Sequence, residues 1–199
     1  MLESLTHLIS ASPWTYLVVL AFAALDPLFP LVPSETSVIA AGVLAGAGDL
    51  NIALVMAAAA VGAFLGDNSS YGFGRTAGVR LTGPLFRGSK GRARRLWAER
   101  TLATRGGSLI VTARFVPGGR TAATLTAGIT RMRWARFLRF AGIAAVLWAS
   151  FAAGLGYLGG RAFEEQPWLG LASALTAAAA ITVGVELARR LRLPPTATC

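Results

Sequence analysis

Two arginines bracket a helix-breaking sequence in an otherwise apolar stretch of the chain. In the segment RFVPGGR, Arg114 and Arg120 enclose a turn formed by Pro117, Gly118 and Gly119. On one unbroken helix a spacing of six residues would point the two arginines more than about 100° apart, whereas a turn lets them converge. The turn also frees backbone N–H groups, which can bind an anion together with the guanidinium groups. We therefore predict an anionic-substrate site made of Arg114, Arg120, Gly118 and Gly119.

A second broken segment carries acids that could offset these charges. Asp26 and Glu35 begin and end the sequence DPLFPLVPSE, which holds three prolines. An arginine near the bilayer centre costs about 2.5–3.5 kcal/mol on insertion scales, so its presence there requires an acid or an anionic ligand. We predict that Asp26 and Glu35 meet Arg114 and Arg120 and carry protons or ions.

Each of these assignments has a plainer alternative. Asp26 could end the first helix at the outer membrane interface, and Glu35 could complement the dipole at a helix N-terminus. The two arginines could instead extend to the cytoplasmic interface and bind lipid phosphates there.

The segment GDNSSYGFGRTAG holds further polar residues within an apolar region. Asp67 and Arg75 are eight residues apart, and we expect them to form a structural ion pair or to lie at the membrane interface. Tyr71 and Trp148 are expected to pack or to anchor at the interface. Glycines recur at helical spacing and indicate close helix packing; they are Gly62, Gly66, Gly72, Gly74 and Gly78.

The composition indicates an integral membrane protein. Of the 199 residues, 54% are hydrophobic and only 14% are charged, against about a quarter charged in soluble domains; the mean hydropathy is +0.58. The net charge of +10 does not indicate nucleic-acid binding, because the basic residues lie between apolar segments. With His7 and Cys199 as the single histidine and cysteine, we expect no disulfide, metal site, cofactor or histidine-dependent phosphatase activity.

Basic segments orient the predicted spans. Nine basic residues and one acid lie within 75–105, and more arginines follow at 131–139 and 189–192. Because basic loops face the cytoplasm, we place all three segments on that side. The last predicted transmembrane helix is 168–188, and it leads into a cytoplasmic tail at 189–199.

The two broken segments are too short to cross a bilayer twice. Two crossings need about 40 residues, so we predict that 26–49 dips in from outside and 108–130 from the cytoplasm. The predicted fold is an all-α polytopic membrane protein with two oppositely oriented re-entrant helical hairpins plus spanning helices, as in inverted-repeat transporters. Its halves are 8–66 and 106–160, within one membrane domain of residues 1–199.

The segment RFVPGGRTAATLTAGITRMRWARFLRFAGIAAVLW resembles the signature of the DedA family. FPLVPSE and GDNSSYGFGRTAG resemble two further motifs of that family, so the resemblance covers roughly residues 20–160. The signature positions are Arg114, Pro117, Gly118, Arg120, Ala127, Gly128, Met132, Phe137, Gly142 and Trp148.

The resemblance implies a small, multi-pass protein of the bacterial inner membrane that handles lipids. Some members are associated with returning undecaprenyl phosphate across the cytoplasmic membrane, and related eukaryotic members scramble phospholipids. It also implies dependence on protons or membrane potential, with functional roles for Asp26, Glu35, Arg114 and Arg120.

We expect from this resemblance a translocase of a polyprenyl phosphate, with membrane lipids and protons as further partners and no enzymatic activity. The alternatives are a proton-dependent cation exchanger and a general phospholipid scramblase. The sequence leaves homo-oligomerisation open.

Overall fold

The computed structural model describes residues 13–29, 34–76, 104, 106–114, 119–163, 169, 171–180 and 184, and within these ranges all regular structure is helical. The segments in chain order are α1 (Pro13–Leu25), α2 (Ser34–Gly46), α3 (Ile52–Thr76), α4 (106–113), α5 (Gly119–Ile129), α6 (Trp134–Ala162) and α7 (Leu171–Ala180). The all-α class expected from the sequence is therefore confirmed.

Two of the described helices, α3 and α6, are long and apolar enough to cross a membrane. They have 25 and 29 residues, and about 20 suffice to span the hydrocarbon core. The helices α1, α2 and α5 have 13, 13 and 11 residues, so none of them crosses alone. The assignment of 26–49 and 108–130 as re-entrant segments stays a prediction.

The polar sequence after Gly66 continues α3 as far as Thr76. Asn68 and Ser69 donate side-chain hydrogen bonds to the carbonyls of Phe64 and Leu65, at 2.8 and 2.9 Å. These bonds satisfy the short polar side chains within the helix, so they do not break it. As a result, Asp67 lies inside a long helix and not in a loop.

Two of the short helices, α2 and α5, pack on the long helix of the other half, whereas α1 packs on the long helix of its own half. The most extensive contacts are α2 against α6, α1 against α3 and α5 against α3, and the long helices α3 and α6 also contact each other. On the remaining side, α4 meets α6 where Gly107 lies against the Phe140 ring. This exchange of partners joins the two halves into one helical body.

Glycines allow these helices to approach closely. A Cβ at Gly42 of α2 would lie 2.5 Å from the carbonyl oxygen of Ala153 in α6, and a Cβ at Gly156 would collide with the Ile39 carbonyl. Small residues of this kind permit backbone contact between helices in a membrane, where no hydrophobic force drives the association.

The packing role predicted for the α3 glycines is confirmed at three positions. Cβ atoms at Gly62 and Gly66 would collide with α1, and one at Gly74 would collide with α5. A Cβ at Gly72 would have no atom within 4 Å, so the prediction is wrong there. Gly78 lies outside the described residues.

Several other predicted features fall outside the described part of the chain. These are Pro117 and Gly118, the basic loop beyond Thr76 as far as residue 103, and the tail at 189–199. Of the predicted span 168–188, the helical residues described are Leu169, 171–180 and Gly184.

Two glycines of α6 provide a matched test of this packing. We expect Gly156→Ala to destabilise the protein by about 1–3 kcal/mol, because the added methyl forces two backbones apart. Gly154→Ala should be neutral or slightly stabilising, since nothing lies within 4 Å of a Cβ there and alanine favours helix. Thermal unfolding of the purified protein in detergent measures both, and equal melting temperatures for the two variants would contradict the packing described.

Candidate functional site

Asp67 bridges the two arginines that flank the Pro-Gly-Gly sequence. Its Oδ2 accepts a hydrogen bond from Arg114 Nη1 at 2.5 Å, and its Oδ1 accepts one from Arg120 Nε at 2.7 Å. The Asp67 side chain is only 1% exposed. One buried carboxylate therefore holds two guanidinium groups together; with Asp26 they make up what we call the Asp67 cluster (Asp26, Asp67, Arg114 and Arg120).

The close approach of α1 and α3 explains where the cluster forms. Gly62 and Gly66 of α3 lie against the Leu20 and Ala24 carbonyls of α1, so the buried face of α3 adjoins the end of α1. Asp67 follows Gly66 directly, and Asp26 follows the last residue of α1. The two acids thereby lie near each other, and a guanidinium group from α5 can reach both.

Arg120, the second residue of α5, uses all three of its nitrogens. Besides the bond to Asp67, its Nη1 donates to Asp26 Oδ2 at 2.7 Å. Its Nη2 donates to the Ala63 carbonyl at 2.9 Å and to the Ala23 carbonyl at 3.3 Å. Arg120 is thus connected to α1 and α3 by side-chain and backbone oxygens alike.

Helix dipoles give a reason for the Asp26–Arg120 pair. Asp26 carries negative charge just past the C-terminus of α1, and Arg120 carries positive charge in the first turn of α5. Each charge has the sign that its own helix end disfavours. Pairing them across the two helices removes both unfavourable terms, so the pair serves the fold whether or not a ligand binds.

The predicted meeting of Glu35 with the arginines does not occur in the described structure. Glu35 is exposed in the first turn of α2, and among the described residues it forms no ion pair with Arg114 or Arg120. A carboxylate at that position complements the α2 dipole, which was the plainer alternative. Asp67 occupies the position that the sequence prediction gave to Glu35.

The predicted ion pair between Asp67 and Arg75 is wrong. Eight residues of helix separate them by about 12 Å, and Asp67 is already paired with Arg114 and Arg120. Arg75 instead donates from Nη1 to the Tyr71 hydroxyl at 2.9 Å. A sequence signal for the role of Asp67 did exist: Asp67 follows Ala59 and Ala63 at a spacing of four, which places all three on one face of α3, and all three are buried.

Tyr71 packs inside the protein and does not anchor at an interface. Its ring stacks on Phe137 of α6 with centroids 4.4 Å apart, and its hydroxyl donates to the Met132 carbonyl at 2.6 Å. One residue earlier in α3, the Ser70 hydroxyl is hydrogen-bonded to the Thr124 hydroxyl of α5 at 2.9 Å. These contacts fix α5 and the start of α6 against α3.

Trp148 also lies inside, against the two arginines. The guanidinium carbons of Arg114 and Arg120 lie 5.1 and 5.8 Å from the Trp148 ring centroid, within cation–π range. Trp148 is the fifteenth of the 29 residues of α6, about 21 Å from either end at 1.5 Å per residue. If α6 crosses the bilayer, whose hydrocarbon core is about 30 Å thick, the cluster lies near mid-depth.

The buried groups of the cluster that lack a hydrogen-bond partner in the described structure are N–H donors. Within the described residues, Arg114 Nε and Nη2 are buried without a hydrogen-bond partner, and leaving one such group unpaired costs about 1–3 kcal/mol. The described part of the chain contains no group of three or more His, Cys, Asp or Glu residues that could hold a metal ion. The unpaired groups of Arg114 are N–H donors, which are able to bind the oxygen atoms of an anion. Gly119, next to Arg120, is half-buried.

Known proteins are similar in sequence to most of this chain. The family model described as the VTT domain matches residues 32–158, a range that includes α2 to α5, most of α6 and three members of the cluster. A membrane protein of Synechocystis sp., named as uncharacterized, is 34% identical over 163 residues, covering 80% of this chain and 73% of that protein.

Two further relatives extend the comparison. A Mycobacterium bovis membrane protein, also named as uncharacterized, is 31% identical over 182 residues, covering 89% of this chain and 83% of that protein. Protein DedA of Escherichia coli K12 is 31% identical over 140 residues, covering 66% of this chain and 61% of DedA. No solved structure matches the chain.

Removing the bridging carboxylate should destabilise the whole protein. We expect Asp67→Asn to lower the free energy of unfolding by about 3 kcal/mol or more, because two buried cations lose their shared partner. The matched control is Asp49→Asn, since Asp49 is exposed in the turn after α2. Thermal unfolding in detergent should show a large loss for Asp67→Asn alone; equal stability of the two variants would contradict the bridge.

Proposed function

The chain belongs to the VTT-domain family of membrane proteins, which includes DedA, and on that premise we propose that it translocates a lipid phosphate across the bacterial cytoplasmic membrane. The substrate we propose is a polyprenyl phosphate such as undecaprenyl phosphate. The proposal is transport and not catalysis.

One observation carries this proposal: two buried guanidinium groups lie beside the centre of α6 and have more N–H donors than the nearby acids accept. Each guanidinium offers five donors, while Arg114 makes a single described hydrogen bond, to Asp67. Guanidinium groups bind phosphate through paired, charge-assisted hydrogen bonds. The prenyl tail could remain in lipid while the phosphate passes the cluster.

The charge balance of the cluster supports coupling to protons. With Asp26 and Asp67 ionised, the two acids cancel the two arginines, so a bound phosphate monoanion would leave net negative charge at membrane depth. A proton taken up by a nearby carboxylate would restore neutrality, which lowers the cost of burial. Asp26, whose side chain is 24% exposed, and the exposed Glu35 are the carboxylates we propose for this step.

The bonding within the Asp67 cluster argues against the alternative function, a proton-dependent cation exchanger. A cation path needs a carboxylate that is free to bind the ion, whereas both carboxylates of the Asp67 cluster are hydrogen-bonded to arginine. Two arginines at that point would also repel a cation. Among the described residues, the exposed carboxylate of Glu35 keeps the exchanger as a second candidate.

The exchange of helix partners supports an inverted-repeat arrangement. In the proposal, α2 and α5 are the inner arms of two oppositely oriented re-entrant hairpins, and α3 and α6 are the spanning helices that follow them. The contact of α2 with α6 then corresponds to the contact of α5 with α3. Transporters built in this way place their substrate site between the repeats, and here α5 and α3 contribute Arg120 and Asp67. The proposed topology has a cytoplasmic C-terminus.

The test is translocation of a polyprenyl phosphate across proteoliposomes that contain the purified full chain. We expect transport by the natural protein, an increase or decrease when a pH gradient is imposed, and loss of transport in the double variant Arg114→Ala plus Arg120→Ala. Arg161→Ala is the matched control, since Arg161 is an exposed arginine at the end of α6. Only variants that elute as a single monodisperse species are compared.

Three outcomes would contradict the proposal in different ways. Wild-type rates in the double variant would remove the arginines from the mechanism. Equal transport of phosphatidylcholine and polyprenyl phosphate would indicate a general scramblase. Proton–cation exchange without movement of polyprenyl phosphate would indicate the exchanger.

A further inference from the structure

The two arginines of the Asp67 cluster differ in how completely they are bonded. Arg120 donates to four oxygen atoms, two from carboxylates and two from backbone carbonyls. Among the described residues, Arg114 donates to one oxygen atom, the Oδ2 of Asp67. Both side chains are buried, at 9% and 2% exposed, so this difference does not arise from exposure of Arg114 to solvent.

The unpaired atoms of Arg114 form one edge of its guanidinium plane. Nε and Nη2 are the two nitrogens without a partner, and in the described part of the chain they are the only buried side-chain nitrogen or oxygen atoms in that state. The Nε–H bond and one Nη2–H bond lie in the guanidinium plane and run parallel along the edge that faces away from Cδ. This is the geometry with which arginine binds two oxygens of one carboxylate or phosphate.

Two neighbours hold this edge in a fixed orientation. Asp67 binds Nη1, the guanidinium nitrogen that is not part of the Nε/Nη2 edge. The Trp148 ring centroid lies 5.1 Å from the guanidinium carbon. Asp67 is itself held by Arg120, which α1 and α3 hold in turn. The orientation of the free edge therefore depends on Arg120, although Arg120 has no comparable edge of its own.

We propose that the two arginines divide the work: the Nε/Nη2 edge of Arg114 binds one phosphate group of the substrate through two N–H donors, and Arg120 is a positioning residue that fixes Asp67. The inference rests on the proposed function and deepens it, because it replaces a site of two equivalent arginines with a single bidentate contact. The ligand chemistry is a phosphate oxyanion attached to an apolar chain, since the edge is buried beside Trp148 in an apolar helix.

Lysine substitutions separate these roles because lysine keeps the charge and removes the planar edge. Binding of farnesyl phosphate to the purified full chain in detergent is measured by titration, beside farnesol and inorganic phosphate. For Arg114→Lys we expect a melting temperature close to wild type and a dissociation constant for farnesyl phosphate raised at least about tenfold. Arg161→Lys, the matched control, should change neither quantity.

Arg120→Lys should show the opposite pattern. Its melting temperature should fall well below that of Arg114→Lys, because lysine cannot bond to both acids and two carbonyls at once. In the folded fraction, measured at low temperature, the dissociation constant should rise less than in Arg114→Lys. Should Arg120→Lys not fold, Asp26→Ala tests the same support, since it removes one of the groups that accept a hydrogen bond from Arg120 and leaves the Arg114 edge untouched.

The inference is overturned if Arg114→Lys binds farnesyl phosphate as tightly as wild type, or if Arg120→Lys loses binding with an unchanged melting temperature. Binding of inorganic phosphate as tight as that of farnesyl phosphate would identify a site for free phosphate and overturn the lipid assignment. Farnesyl phosphate binding that depends on Arg114, in a protein that translocates no polyprenyl phosphate, would uphold this inference while contradicting the proposed function.

Discussion

The bridge from Asp67 to Arg114 and Arg120 is the interaction on which the rest of the structure depends. A buried guanidinium group is tolerated only with a close acid or other acceptors, and here one carboxylate serves two of them at 2.5 and 2.7 Å. The bridge also determines which helices meet. It joins α3 to the residues on both sides of the Pro-Gly-Gly sequence, and through Arg120 it adds the end of α1. Small residues then make the required approach possible, at Gly62 and Gly66 toward α1.

Within the Asp67 cluster, Asp26 and Arg120 stabilise the fold, whereas Arg114 has N–H groups that are not hydrogen-bonded to the described residues. Asp26 and Arg120 carry charges that their own helix ends disfavour, and they neutralise each other while Arg120 also satisfies two backbone carbonyls. Arg114 lies at the C-terminal end of α4, where a cation is favoured by the dipole, and two of its nitrogen atoms have no hydrogen-bond partner among the described residues. A protein that needed these charges for stability alone would gain by pairing those donors as well. These unpaired N–H groups are the reason why we propose an anionic ligand.

Much of this could be predicted from the sequence because it depends on local patterns. Apolar runs and sparse charge predict a helical membrane protein, and the RFVPGGR segment predicts that Arg114 and Arg120 act near one another. The identity of their shared acid could not be predicted in the same way. Glu35 and Asp67 are both acids beside apolar segments, and the choice depends on how α1, α3 and α5 pack. The spacing of Asp67 from Ala59 and Ala63 indicates that it shares their face of α3, but its partners are 47 and 53 residues away in sequence. The tertiary contacts at Gly62 and Gly66 are therefore needed to identify Asp67 as the shared acid.

A double-mutant cycle between Asp67 and Arg120 tests the central claim most directly. The free energy of unfolding is measured in detergent for wild type, Asp67→Asn, Arg120→Gln and the double variant. The bridge predicts that the double variant loses less stability than the sum of the single variants, by about 2 kcal/mol or more, because each single change leaves a buried charge unpaired. Losses that add to within about 0.5 kcal/mol would mean that the two side chains do not interact, and would contradict the account.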